Sequence, residues 1–116
     1  MTFEAHKAKY EEHKDFFVNG IKDKAKHSGW YLTVMYFAIY HLTCYYCAKR
    51  GQRLPTPENL DSAYDPGCEL SLLYKELKFV SNCKTNHLYK CLKVSDGDAD
   101  YADREVFPKL EQKLLS

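Results

Sequence analysis

The sequence predicts an all-α protein, an up-down bundle of four to five helices. The first observation behind this prediction is a stretch of 21 residues, Ser28 to Ala48, without a single Asp, Glu, Lys or Arg in a chain that is 28% charged. The second is that apolar residues recur at helical spacing in the flanking segments. The third is that Gly and Pro cluster at the boundaries between these segments, and we find no credible strand.

The uncharged stretch has two possible interpretations. As a helix rising about 1.5 Å per residue, it is just long enough to cross a bilayer. In that case Tyr36 and Tyr40 would lie near the bilayer centre, where their hydroxyls need partners. We therefore favour the central helix of a bundle that is not embedded in a membrane.

This central helix is apolar or aromatic on two opposite faces. One face carries Leu32, Met35, Tyr36, Ile39, Leu42 and Tyr46, and the other carries Val34, Phe37, Ala38, His41, Cys44 and Tyr45. We expect a helix that is either buried all round or shared between the core and a partner surface.

The first helix is predicted from about Thr2 to Lys26, with Thr2 as its N-cap. Phe3, Tyr10 and Phe17 recur at heptad spacing along it, with histidines beside them. Gly20 weakens the helix locally without having to end it.

The central helix is predicted to begin at Ser28 as N-cap and to end near Lys49–Gly51, where cations precede a glycine. A proline-containing loop follows from Gly51 to Gly67, and a third helix from about Cys68 to Asn82. The segment from Lys84 to Lys93 fits either a helical continuation or an extended connection.

The last helix is predicted from about Ala99 to Leu115, after a turn at 95–98. Its buried stripe consists of Ala102, Val106, Leu110 and Leu114. Pro108 lies inside this pattern and predicts a kink or a restart near Phe107.

The composition limits the classes of protein. The 116 residues suffice for one domain with one core, predicted to span 1–116, and 45% hydrophobic residues exclude disorder. A net charge of +1 creates no global attraction to nucleic acid or membrane. Five cysteines and no apolar leader favour a cytoplasmic location with reduced thiols. We expect no cofactor.

Two motifs resemble the HEPN family, small helical domains of prokaryotic nucleotide-binding and RNA-targeting systems. Many members carry a Trp on the second helix, followed by Tyr-Tyr-Ala-x-Phe-His. Here Trp30 precedes Tyr36-Phe37-Ala38-Ile39-Tyr40-His41. One subgroup closes its third helix with Arg-x-x-Ala-Asp-Tyr, and Lys84-Thr85-Asn86-His87-Leu88-Tyr89 stands at that place here. The resemblance covers about Ala5 to Leu114.

The chain departs from the family at the residues that cut RNA. Catalytic members have an Arg and a His four to six residues apart, and none of Arg50, Arg53 and Arg104 has a histidine at that distance downstream. Lys84 replaces an arginine and lacks the planar fork that grips phosphate. The resemblance therefore implies a dimerising bundle with a groove for nucleotide or RNA, as in defence or toxin–antitoxin systems, and does not imply cleavage.

On this resemblance, the predicted nucleotide- or RNA-binding residues are Tyr36, Tyr40, His41, Lys84, His87 and Tyr89. The two tyrosines and His41 would line the groove, and the other three would contact phosphate and base. His41 can equally be a buried histidine that is satisfied by a tyrosine.

The segment from Lys75 to Lys93 is rich in lysine with aromatic residues between, a pattern typical of nucleic-acid binding. A solvated helix face, neutralised by the acidic run after it, explains the same pattern. Two His/Cys groups have some resemblance to metal ligands, but a continuous helix does not bring them to one point. They are His41, Cys44 and Cys47, and Cys83, His87 and Cys91.

Three functions follow, in decreasing order of support. The first is a non-catalytic HEPN-like bundle that binds nucleotide or RNA. The second is a protein-interaction module, as a homodimer or with a small protein partner, motivated by the doubly apolar central helix. The third is a metal-independent ribonuclease that uses His41 or His87 with a lysine.

Overall fold

A computed structural model describes residues 2–23, 26–56, 60, 72, 74, 75 and 98–115. These residues are mostly helical and include no strand, so the all-α prediction is confirmed for them. The number of helices in a complete bundle depends on residues outside this part. No helix within it combines the length and apolarity needed to cross a membrane.

The described helices form an N-terminal pair and a C-terminal run. The pair consists of α1 (Phe3–Asp15), extended by a π-helical segment (Phe16–Gly20), and α2 (Ser28–Lys49). The run consists of α3 (Asp98–Tyr101), a second π-helical segment (Ala102–Val106) and α4 (Phe107–Leu115).

Helix α1 begins as predicted and ends earlier than predicted. The Thr2 hydroxyl accepts a hydrogen bond from the Ala5 N–H at 3.2 Å, which confirms Thr2 as N-cap. The prediction that the helix continues through Gly20 to Lys26 is wrong. Helical structure stops at Gly20, and Ile21 is extended with φ −100° and ψ 98°. Glycine has the largest entropic cost of helix formation of any residue, and here a widened π turn precedes it.

Helix α2 has boundaries close to those predicted. His27 is the N-cap and Ser28 is the first helical residue, so the helix begins one position earlier than predicted. The helix ends at Lys49, and Gly51 follows with φ +69°, a conformation that glycine adopts without a side-chain clash. The end of the helix could therefore be predicted from the position of Gly51 in the sequence.

Helices α1 and α2 pack antiparallel. The Phe3 ring lies 5.9 Å from the Tyr45 ring at one end of the pair, and the Phe17 ring lies 5.1 Å from the Tyr31 ring at the other. Both partners are separated by 14 residues on their own helices, so one register holds along the whole contact. This register determines which side chains of α1 face α2.

Both apolar faces of α2 contribute to the core. Met35 and Ile39 on one face are fully buried, and so are Ala38 and Cys44 on the other. The helix is not buried all round, because Trp30 is 51% exposed. Five further aromatic side chains of α2 are only partly buried: Phe37, Tyr40, His41, Tyr45 and Tyr46.

The C-terminal helix buries the predicted stripe. Ala102, Val106, Leu110 and Leu114 are each at most 1% exposed, and Phe107 joins them against the Phe17 ring. The irregularity expected from Pro108 is present as the π segment that ends at Val106. A proline cannot donate to the carbonyl four residues earlier and its ring crowds it, so the widened turn stands where an α-helical hydrogen bond is missing.

The third predicted helix lies largely outside the described residues. Leu72, Tyr74 and Lys75 have helical backbone conformation, and Tyr74 is 1% exposed in the core. The Tyr74 hydroxyl and the Thr43 hydroxyl of α2 are 2.6 Å apart. This buried hydrogen bond joins Tyr74 to the middle of α2.

Candidate functional site

The six predicted binding residues divide into two groups. Tyr36 is 2% exposed in the core, which removes it from the side chains that a surface ligand reaches. Tyr40 and His41 are partly buried, and His41 contacts α1. Lys84, His87 and Tyr89 lie outside the described residues, as does the cysteine–histidine group at 83–91.

His41 belongs to a cluster of three histidines between α1 and α2, formed with His6 and His13 of α1. The Nδ1 atoms of His6 and His41 are 3.2 Å apart, within hydrogen-bonding distance. The centres of the His6 and His13 rings each lie 5.4 Å from that of His41. The Tyr40 ring meets His41 edge-on at 5.0 Å. His41 therefore lies at the interface of α1 and α2, and the side chain within hydrogen-bonding distance of its Nδ1 is a histidine of α1.

Burial favours the neutral form of His41 and of His6. Desolvation, followed by the charges of the nearby His13, His6 and Lys9, lowers the pKa of His41 to about 4, against a small opposing effect of Glu12. Burial also lowers the pKa of His6. A neutral imidazole accepts or donates one hydrogen bond at each nitrogen, which is what a bond between two rings requires.

The thiols of α2 are chemically quiet. Cys44 and Cys47 are buried and not joined in a disulfide, and burial raises the pKa of the Cys44 thiol to about 11. A thiol with so high a pKa is a poor nucleophile and a poor metal ligand at neutral pH. Within the described ranges, no group of three or more His, Cys, Asp or Glu side chains is arranged to hold a metal ion.

A second feature lies one helical turn from the histidines, at the end of the pair where α1 begins and α2 ends. We call it the cation–aromatic patch, and it consists of Phe3, Lys7, Tyr45, Tyr46, Lys49 and Arg50. The Tyr45 ring has cations from both helices within cation–π range, with Lys7 Nζ at 5.5 Å and Lys49 Nζ at 5.7 Å from the ring centre.

The neighbouring ring carries a closer cation. The Arg50 guanidinium carbon lies 3.7 Å from the centre of the Tyr46 ring. Lys7, Lys49 and Arg50 are exposed, Tyr45 and Tyr46 are half-buried, and Phe3 is 37% exposed. Three positive charges therefore surround aromatic rings that solvent can reach.

Sequence reasoning noted Lys49 and Arg50 as cations but did not connect them to an aromatic surface. The signal is nevertheless in the sequence, because Phe3–Lys7, Tyr45–Lys49 and Tyr46–Arg50 are all aromatic–cation pairs at i,i+4. Residues four apart are neighbours on a helix surface. What the sequence could not supply is the antiparallel register that brings Lys7 of α1 to Tyr45 of α2.

The fold and these two features describe a helical protein with a histidine cluster beside a cationic, aromatic surface. No family model, curated protein or solved structure matches the chain.

Proposed function

We propose that the protein is a HEPN-like helical bundle that binds single-stranded RNA, or a nucleotide, without cleaving it. The observation that carries the proposal is the cation–aromatic patch, in which the Tyr45 ring stands between Lys7 and Lys49. Single-stranded nucleic acids are bound by aromatic rings that stack on bases beside cations that neutralise phosphates. The resemblance to HEPN domains adds support from motifs elsewhere on α2.

The patch has the right chemistry for a single strand and the wrong shape for specific duplex recognition. Its Phe3 and Tyr45 rings belong to two helices and lie 5.9 Å apart, with their planes inclined at 47°. Bases splayed from a single strand can reach such rings, whereas stacked bases of a duplex cannot. Sequence preference is expected to be slight, since every base has a face that stacks.

The test is a fluorescence-anisotropy titration with a labelled single-stranded RNA of about a dozen nucleotides at 50 and 200 mM salt. Three phosphate contacts on a single strand give a log–log salt slope of about −2, so affinity should fall about twentyfold across this range. Removing the stacking ring with Tyr45→Leu should weaken binding by about 1–3 kcal/mol.

Two matched lysine variants distinguish binding at the cation–aromatic patch from a general effect of positive charge. Lys49→Ala and Lys22→Ala each remove one positive charge, but Lys22 is exposed in the connection at the opposite end of the helix pair. Lys49→Ala should weaken binding and lower the salt slope by about 0.7, whereas Lys22→Ala should leave both unchanged. Equal effects of the two variants, or no binding at 50 mM salt, would refute the proposal.

The same mixtures run on a denaturing gel test the ribonuclease alternative. His41 is held against His6 and is only partly accessible, a poor position for an acid–base catalyst. We expect the RNA to remain intact after prolonged incubation with protein in excess. Strand scission that is lost in His41→Asn would favour the ribonuclease instead.

The second candidate function is the protein-interaction module. It was first motivated by the doubly apolar central helix, and the observation that supports it here is a groove on the surface. Val18 and Leu115 are about half exposed and line a groove between α1 and α4. The groove has a volume of about 480 Å³ and is otherwise lined by polar side chains. A concentration-dependent dimer in light scattering, disrupted by Val18→Asp, would favour this function, and a strict monomer would count against it.

A further inference from the structure

The contact between His6 and His41 joins α1 to α2 through a bond that depends on protonation. Two imidazole nitrogens at 3.2 Å form a hydrogen bond only if one carries a proton and the other offers a lone pair. Protonation of the accepting nitrogen turns the pair into two donors, at least one of them charged, with no acceptor between them. The attraction across the helix interface then becomes a repulsion.

The surroundings of the pair do not compensate such a charge. From α1, His41 is approached by the positive Lys9, by His13 and by one carboxylate, Glu12, which is itself bonded to Lys9 at 3.4 Å. The α3–α4 run supplies Asp103, but its carboxylate accepts from the Tyr31 hydroxyl, nearly three helical turns away along α2. A proton added to the pair thus finds little negative charge to stabilise it.

We propose that His6 and His41 form a proton-sensitive clasp, which holds the first half of α1 against α2 at neutral pH and releases it in acid. The part released includes Phe3 and Lys7, which pack on Tyr45. The far end of the helix pair is held independently by the stacked Phe17 and its neighbours, so the opening is local.

The direction of the pH dependence follows from the two pKa values. The pKa of an unconstrained imidazole is about 6.5, whereas burial lowers that of His41 to about 4 and lowers that of His6 as well. Above pH 7 neither the closed nor the open state is protonated, and the clasp is at full strength. As the pH falls from about 7 toward 4, the open state binds protons that the closed state excludes. The equilibrium constant for opening therefore rises by up to about tenfold per pH unit for each histidine.

The first experiment follows the imidazole resonances and amide hydrogen exchange of the full chain from pH 7.5 to 5. We expect the His41 ring to stay neutral across this range. After correction for intrinsic rates, we expect the amides of α1 near His6 to lose about tenfold or more of their protection relative to those of α4. Protonation of His41 near pH 6.5, or equal loss of protection in α1 and α4, would overturn the proposal.

The second experiment uses a matched pair of variants. His41→Asn keeps a polar atom near the position of Nδ1 but cannot titrate, so it should flatten the pH dependence of α1 protection by about one proton. His27→Gln removes an exposed histidine outside the cluster and should leave that dependence unchanged. A pH dependence that survives His41→Asn would contradict the clasp. If His41→Asn does not fold, the wild-type titration decides alone.

Discussion

At the scale of single residues, buried tyrosines link the helices through hydrogen bonds of their hydroxyl groups. Tyr31 donates to the Asp103 carboxylate at 2.8 Å, which links α2 to the C-terminal run, and Tyr10 donates to Glu111 of α4. In both cases burial, together with the carboxylate, raises the pKa of the phenol. Each ring thus contributes apolar area while its hydroxyl selects one partner. Within the described part of the chain, no buried side-chain nitrogen or oxygen lacks a hydrogen bond.

The Thr43–Tyr74 hydrogen bond offers a clean test of this role. Both residues are at most 1% exposed, and the two hydroxyls are 2.6 Å apart. Tyr74→Phe should lower the free energy of unfolding by about 1–2 kcal/mol, because it leaves the Thr43 hydroxyl without this partner. Thr43 also donates to the Ile39 carbonyl, which limits the loss.

A urea-unfolding double-mutant cycle checks the assignment. Thr43→Val alone should cost a similar amount, and the double variant should cost clearly less than the two single changes added together. Additive effects would mean that the two hydroxyls do not interact in solution.

It was easier to predict from the sequence which side chains are buried than which side chains contact each other. The periodicity of the last helix identified Ala102, Val106, Leu110 and Leu114 as buried, because a helical stripe is a property of one segment. The meeting of His6 with His41 is a property of two segments and of their register. From the sequence, several tyrosines were candidate hydrogen-bond partners of His41, and nothing indicated that the partner would be a histidine.

At the scale of elements, the two glycines at which helical structure ends act differently. Gly51 ends α2 with φ +69°, whereas Gly20 ends the π segment without a positive φ. A Cβ at Gly51 would meet nothing within 4 Å, so any cost there comes from the backbone alone. A Cβ at Gly20 would lie 3.6 Å from the Phe16 ring, an ordinary contact.

Alanine substitutions at these two positions should therefore have opposite effects. Gly51→Ala should destabilise the protein by about 1 kcal/mol, since an L-residue is strained in the left-handed region. Gly20→Ala should stabilise it by about 0.5 kcal/mol or slightly more, since it reduces the entropy of the unfolded chain. Thermal unfolding of both variants beside the wild type gives the signs. A shift in the same direction for both would contradict the assigned backbone conformations.

The ends of the helices show what local signals can and cannot predict. Thr2 and Gly51 mark their boundaries because capping depends on one or two residues and the adjacent backbone. Gly20 was expected to be tolerated inside the first helix, as a single glycine often is. Its effect was underestimated because the π turn before it, which positions Phe17 in the core, cannot be read from helical periodicity of 3.6 residues.

At the scale of the whole molecule, the C-terminal run closes the α1–α2 pair. Glu111 of α4 accepts from Lys14 of α1 at 2.7 Å as well as from Tyr10, and the Lys14 ammonium lies 5.8 Å from the Phe107 ring centre. Beneath these polar contacts, Leu110 and Leu114 enter the same core as α2. The N-terminal and C-terminal parts of the chain are therefore interdependent.

Substitutions of two leucines in α4 test how strongly the protein depends on the packing of this helix. Leu110 is fully buried and Leu115 is 47% exposed. Leu110→Ala should cost about 2–5 kcal/mol by creating a cavity between α4 and α2. Leu115→Ala should change the free energy of unfolding by less than about 0.5 kcal/mol. Chemical denaturation distinguishes the two, and a small effect of Leu110→Ala would mean that α4 does not pack on the core in solution.

The helical class was predictable at this scale because it follows from composition and periodicity over many residues. The candidate site was only partly predictable. Tyr40 and His41 are partly buried, but Tyr36 lies in the core, and the cation–aromatic patch required the packing of α1 on α2. A surface that is formed by two helices cannot be predicted from the sequence pattern of either helix alone.

The two π-helical segments have a consequence for how the gene can vary in length. Each π turn closes its hydrogen-bonded ring with one residue more than an α turn, so it accommodates an extra residue without lengthening the helix much. Losing the Phe16 codon would rotate Phe17 relative to α1 by about 100°. Phe17 packs edge-on against Phe107, directly after the other π segment, and against Tyr31 of α2, each at 5.1 Å. Such a deletion should therefore lower stability, and a second deletion in the other π segment would not restore the contact with Tyr31.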